Sequence, residues 1–215
     1  MTKEQKLNLM RETGLIAIMR ADGSDQLIAA ADAIRAGGIR AIEVTMTTPG
    51  AIETIRAARH RYRGETLFGA GTVLDPETAG AAILAGADFV VAPTFDPKMV
   101  AICRRYSIPV FPGCFTPTEM LTAWEGGASM IKLFPADLGG PSYIKAVRAP
   151  LPQLEIVPVG GVNLDTAAEF IRSGAAVLGV GSSLINQKLL EAGNMEDLRH
   201  RAAAFVAEVA KGRNS

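Results

Sequence analysis

The chain is poor in the residues that metal and redox chemistry draw on, with two cysteines and two histidines in 215 residues. Cys103 and Cys114 sit in apolar surroundings without metal-ligand spacing, so they read as reduced packing residues of a cytosolic protein; a disulfide is the lesser reading. His60 falls in the basic run Arg59-His-Arg-Tyr-Arg63 and His200 lies between two arginines. Both read as solvated, which leaves no histidine general base and no metal cluster. An excess charge of either sign is also missing, since 22 Lys and Arg balance 22 Asp and Glu. No broad field therefore draws nucleic acid or an anionic membrane. No stretch approaches the roughly 20 apolar residues of a membrane helix, and no apolar segment of signal-peptide length follows Met1-Thr-Lys-Glu-Gln-Lys6. The single tryptophan, Trp124, lies on the apolar face of an expected helix and reads as core. A cytoplasmic protein is expected, and an anionic ligand would need a local set of donors.

What the chain does have is core material: 48% of its residues are hydrophobic and 20% charged, which excludes disorder. The length suits one domain over 1–215. Apolar strands are expected at 15–19, 41–45, 67–73, 88–93, 109–113, 129–135, 154–159 and 176–180, each followed by a helix. A short polar helix over 1–13 precedes them. Thr48-Pro49, Asp75-Pro76, Asp96-Pro97 and Thr116-Pro117 carry the chemistry of helix starts, the last within a capping box closed by Glu119. Ser24 and Asn194 are further expected caps. Ala36-Gly-Gly, Ala85-Gly-Ala, Gly126-Gly-Ala and Ser173-Gly-Ala close helices just ahead of strands. A strand-then-helix unit repeated eight times predicts an α/β fold, a TIM (β/α)₈ barrel with a short extra N-terminal helix. An open doubly wound sheet is the alternative. In either architecture the active residues lie at the carboxyl ends of the strands, where Arg20, Glu43, Thr72, Pro93, Lys132 and Gly160 all fall.

Lys132 stands inside the apolar run Ser129-Met-Ile-Lys-Leu-Phe-Pro135. A lysine there snorkels to water, pairs with an acid, or is held partly desolvated, where a lowered pKa yields a nucleophilic amine. Glu43 is an acid between Ile42 and Val44, on the same strand face as Ala41 and Thr45. Together the two are either a buried ion pair or the amine and proton-moving carboxylate of a Schiff-base enzyme. Gly160-Gly161 after the seventh strand, running into an expected helix start at 162–165, and Gly179-Val-Gly-Ser182 after the eighth occupy the loops where such barrels bind phosphate. Gly69-Ala-Gly-Thr72 is either a tight strand end or a close approach of backbone and hydroxyl to a substrate carboxylate. Arg20 could clamp a carboxylate with two hydrogen bonds.

At these residues the chain resembles the 2-keto-3-deoxy-6-phosphogluconate / 4-hydroxy-2-oxoglutarate (KDPG/KHG) class I aldolases. The resemblance is carried by Ile42-Glu-Val-Thr45, Gly69-Ala-Gly-Thr-Val73, Pro112-Gly113 with Thr116-Pro-Thr-Glu119, Lys132-Leu-Phe-Pro-Ala136, Pro158-Val-Gly-Gly161 and Gly179-Val-Gly-Ser182. It implies a TIM barrel, a homotrimer, no metal or organic cofactor, Lys132 as the Schiff-base lysine and Glu43 as the acid/base. It assigns phosphate to Gly160, Gly161, Gly181 and Ser182, and the pyruvyl end to Thr72 and Phe134. The implied reaction is cleavage of KDPG to pyruvate and glyceraldehyde 3-phosphate, or of 4-hydroxy-2-oxoglutarate to pyruvate and glyoxylate. Two positions depart from the family pattern. Thr47 stands where many members carry a carboxylate-binding arginine, leaving that charge to Arg20. Val159 stands where KDPG-preferring members commonly have threonine, so 2-keto-3-deoxy-6-phosphogalactonate is an alternative substrate. An epimerase or decarboxylase on the same barrel, and a non-catalytic phosphometabolite-binding barrel, are the competing readings.

Overall fold

The computed structural model describes residues 1–20, 24–62 and 64–214. The side chain of Ser24, an expected cap, lies outside what is described, as does Arg63. Among the described residues the strands are β1 (Leu15–Met19), β2 (Ala41–Thr45), β3 (Leu67–Gly71), β4 (Val90–Val91), β5 (Val110–Phe111), β6 (Gly113–Cys114), β7 (Ile131–Leu133), β8 (Ile156–Pro158) and β9 (Leu178–Val180). Their pairings are parallel and form two arcs of one curled sheet, in the orders β5-β4-β3-β2-β1-β9 and β6-β7-β8. Between the arcs, β5 and β6 are separated only by Pro112, which has no N–H to donate to a ladder. A bridge pairs Val159 with Gly179 on the other side.

Side chains alternate across this sheet as the pleat requires. Ile16, Ala41, Leu67, Phe89, Phe111, Met130, Val157 and Val177 share one cluster on the concave face. Ile42, Val44, Ile131, Leu133 and Leu178 belong to the larger cluster beneath the helices. The outer layer comprises α2 (Ser24–Ala36), α3 (Ala51–Tyr62), α4 (Pro76–Ala85), α5 (Pro97–Arg105), α6 (Pro117–Glu125), α7 (Gly140–Arg148), α8 (Ala167–Arg172), α9 (Gln187–Glu191) and α10 (Met195–Arg213). Asp75, Asp96, Thr116 and Asn194 cap α4, α5, α6 and α10, with the full capping box at Thr116 and Glu119. Each such cap satisfies one backbone N–H that the first turn leaves without a partner.

Several expectations shift. The strands at 88–93, 129–135, 154–159 and 176–180 keep two or three paired residues each. α3 begins at Ala51 rather than at Pro49, because the Thr48 hydroxyl pairs with that of Thr45 at 3.2 Å instead of capping a helix. The segment 162–165 is a turn in which the Asn163 carboxamide accepts from the Asp165 and Thr166 amides; α8 starts at Ala167.

The first helix, α1 (Lys3–Thr13), is capped by a box at Thr2 and Gln5 but is less polar in role than its composition suggests. Leu7, Leu9 and Met10 join the concave cluster, whose members lie toward the amino ends of the strands. α1 therefore closes that end of the curl. Lys6 fixes it there through Asp88, at 2.9 Å, with the two side chains 11% and 3% exposed. Asp88 also accepts from the Phe68 amide at 3.2 Å and from Arg59 at 3.3 Å. Removing one partner of an enclosed ion pair strands the other charge, at a cost of about 3 kcal/mol. Asp88→Ala is expected to lose that amount in urea denaturation. A loss under about 1 kcal/mol, the range for solvated pairs, would mean that water already serves Lys6.

Candidate active site

β7 is three residues long, and its pleat turns Ile131 and Leu133 outward and Lys132 inward. Lys132 is paired in register with Gly113 on one side and Val157 on the other, and is 5% exposed. Glu43 points inward from β2 and is 2% exposed. Among the described residues neither group has a hydrogen-bonding or ion-pair partner. The Lys132 ammonium instead lies 4.8 Å from the centre of the Phe134 ring, within reach of a cation–π attraction.

Burial dominates the ionisation of both groups. It pushes the Lys132 pKa below its ordinary 10.5; the charge of Glu43 opposes this and that of Arg20 adds to it. It pushes the Glu43 carboxyl above its ordinary 4.5, against the pull of Lys132 and Arg20. The three residues thus form one electrostatic unit built from the end of β1 and the middles of β2 and β7. A lysine so placed is biased toward the neutral amine, and an acid so placed toward the range where it can both give and take a proton.

Next to this unit a cavity of about 390 Å³ opens between the carboxyl ends of β1, β8 and β9. Arg20, Phe134, Val159, Gly160, Gly161, Gly181 and Ser182 line it, joined by Ile18, Val162, Gly179, Ser183, Ile185 and Asn186. Such a volume suits a small organic ligand. Gly160 and Gly161 have φ of +99° and +70°, left-handed values that L side chains rarely adopt. A Cβ on Gly161 would stand 2.6 Å from that of Asp137. The Ser183 hydroxyl donates to the Val162 carbonyl at 2.5 Å and ties the loop after β9 to the loop after β8. The result is a bare-backbone wall suited to an anion, although the helix start expected behind it is the turn at 162–165.

Of the residues expected from sequence, Arg20, Phe134, Gly160, Gly161, Gly181 and Ser182 therefore meet at one cavity. Glu43 and Lys132 do not form its wall; Lys132 adjoins it through the Phe134 ring, 4.8 Å from its ammonium. Thr72 and Pro93 do not line it either. Thr72 is half-buried at the end of β3 with φ +57°, an unusual value for a β-branched residue. The residues that sequence reasoning missed include Ile18, which alternates with Ile16 and Arg20 and was readable from that spacing. Asn186, which caps the unforeseen α9, carried no comparable signal. Among the described residues no group of three or more His, Cys, Asp or Glu is placed to hold a metal ion, and no helix is long and apolar enough to cross a membrane.

A family model described as KDPG and KHG aldolase matches residues 7–200. The chain is 33% identical over 198 residues to the 2-dehydro-3-deoxy-phosphogluconate aldolase of Haemophilus influenzae, covering 92% of this chain and 93% of that one. It is 38% identical over 193 residues to the 2-dehydro-3-deoxy-6-phosphogalactonate aldolase of Escherichia coli, covering 89% and 92% respectively. A KDPG aldolase from Legionella pneumophila, crystallised with pyruvate captured as a covalent carbinolamine intermediate, superposes with a TM-score of 0.86 at 26% identity, covering 93% of this chain and 97% of that one.

Proposed function

Because the chain belongs to the KDPG/KHG aldolase family and is therefore a carbon–carbon lyase, we propose that it cleaves a 2-keto-3-deoxy-6-phospho sugar acid through an imine on Lys132. The amine attacks the C2 ketone to give a carbinolamine. Glu43 protonates the departing hydroxyl, and water leaves. The resulting iminium is an electron sink into which the C3–C4 bonding pair moves, while the Glu43 carboxylate takes the C4 hydroxyl proton. Glyceraldehyde 3-phosphate departs. The remaining enamine is protonated at C3 and hydrolysed, which releases pyruvate and restores the amine.

The observation that carries this reading is a lysine amine, buried and biased toward neutrality, in one charge unit with a buried acid and with Arg20, which lines an organic-sized cavity. Arg20 is the cation available for the substrate carboxylate, and Gly160, Gly161, Gly181 and Ser182 are the donors for the phosphate. The Legionella relative held pyruvate as a carbinolamine, which supports the same covalent chemistry here. Relatives in both the gluconate and galactonate series fit the chain, and Val159 lines the cavity where an apolar side chain offers no hydrogen bond to a C4 hydroxyl. Both epimers, and 4-hydroxy-2-oxoglutarate, are therefore assigned as substrates. The nearness of β5 to β6 and the bridge from Val159 to Gly179 support closure of the two arcs into a (β/α)₈ barrel; a single domain working as a homotrimer without metal or organic cofactor is proposed on the family resemblance alone.

Borohydride reduction in the presence of pyruvate tests the central step. It is expected to add the mass of a reduced pyruvyl group to the peptide containing Lys132. Label on another lysine, or none, ends the assignment.

A further inference from the structure

Strand β3 carries two glycines on the concave face, and each leaves room for a side chain from a neighbouring strand. A Cβ on Gly69 would lie 2.3 Å from Cε2 of the Phe89 ring. A Cβ on Gly71 would lie 1.8 Å from Oε1 of Glu43, 2.3 Å from its Cδ and 2.4 Å from its Cγ. All three distances are far below van der Waals contact, so the Glu43 carboxylate occupies the space that a side chain at 71 would fill. The register makes this possible: Glu43 pairs with Gly69 and Thr45 with Gly71, so the inward Glu43 leans along the strand over the next inward position of β3. Gly71 is not held in a left-handed conformation, so its backbone would accept an L side chain. Among the described residues, the atoms nearest to a side chain at 71 all belong to Glu43.

We propose that Gly71 is a positioning residue for the reaction: the notch it leaves holds the Glu43 carboxylate in the one orientation from which it serves the Lys132 amine and the substrate's C4 hydroxyl. The proposal rests on the retro-aldol reading for its catalytic half, while its steric half stands on the contact distances. Glu43 is enclosed and, among the described residues, has no hydrogen bond to orient it, so the shape of the notch supplies the close contact that does. A methyl group at 71 would turn the flexible acid away rather than unfold the sheet, and a displacement of about 1 Å in a catalytic group can cost on the order of 10²-fold in rate.

The test is a mutant cycle read in two ways. By urea denaturation, Gly71→Ala is expected to lower the midpoint in the wild-type background. In the Glu43→Ala background, where the space is vacant, it is expected to leave the midpoint unchanged or raise it, because alanine restricts the unfolded chain. Equal shifts in the two backgrounds would overturn the steric half whether or not the protein is an aldolase. In turnover, Gly71→Ala is expected to lower kcat about 100-fold with KM nearly unchanged, and to cost nothing more in a Glu43→Gln background. A wild-type kcat, or a full further loss beside Glu43→Gln, would overturn the positioning role. Pyruvate trapping in the wild-type protein separates the two failures, since success there with a null cycle leaves the aldolase reading intact.

Discussion

Lys132→Met is expected to abolish covalent capture of pyruvate and to reduce retro-aldol turnover by at least about 10⁴-fold, toward the roughly 10⁶-fold that loss of a covalent nucleophile can cost. Methionine keeps the length and apolar stem of the side chain and removes only the amine, so packing against Phe134 has a substitute. Without an imine, C3–C4 cleavage would leave a carbanion with no cationic nitrogen to receive its electrons. Arg20 and Glu43 cannot supply one, since neither forms an iminium. The same change alters the pH dependence of stability. In the wild-type protein burial lowers the Lys132 pKa below 10.5, so between that lowered value and 10.5 the unfolded chain holds a proton that the folded chain has released. Stability therefore rises with pH across that window. In Lys132→Met this rise is expected to disappear. Measurable turnover within 100-fold of wild type would assign the nucleophile to another group.

Glu43→Gln is expected to lose about 10²–10⁴-fold in kcat, the range for a removed general acid/base, while still trapping pyruvate slowly on Lys132. The substitution keeps shape and leaves Gly71's notch filled, so loss of the proton-transfer group is isolated. Burial holds the wild-type carboxyl above 4.5, and the carboxylate is the form that accepts the C4 hydroxyl proton. The part of the acidic limb of kcat/KM that this carboxyl contributes is therefore expected above 4.5 and absent from the variant, where only deprotonation of Lys132 remains. The stability sign runs the other way from that of the lysine. The folded protein favours the protonated acid, so its contribution is fully present below 4.5 and is lost as pH rises through the raised value. A Glu43→Gln enzyme with near-normal turnover would remove Glu43 from the proton path.

Local rules were the most legible part of the chain. Thr116 with Glu119, and the Asp-Pro pairs at 75 and 96, define helix starts within a few residues, and the structure uses them so. Strand alternation put Glu43 on one face with Ala41 and Thr45, and the glycines after the last two strands fall on one wall of the cavity. Competition was harder to read. Thr48 and Asn163 each have the chemistry of a helix cap, but each spends its side chain on a nearby turn. The inward role of α1 was hidden because Leu7, Leu9 and Met10 stand among charged residues without a regular apolar stripe. The notch at Gly71 is absent from any linear pattern: it is empty space filled by a side chain from 28 positions earlier.

With α1 seated across the amino-end of the sheet, the proposed reaction would take its substrate from the carboxyl end, where the cavity opens. A substrate joined to Lys132 through C2 is tethered at the deep end, and its phosphate rests near the loops at the mouth. The aldehyde fragment lies on the outer side of the bond that breaks. It can drift out while the pyruvyl half is still bound to nitrogen, and in the synthetic direction pyruvate must arrive first. The order of traffic would thus follow from the covalent bond to nitrogen, at the end of the sheet opposite to α1.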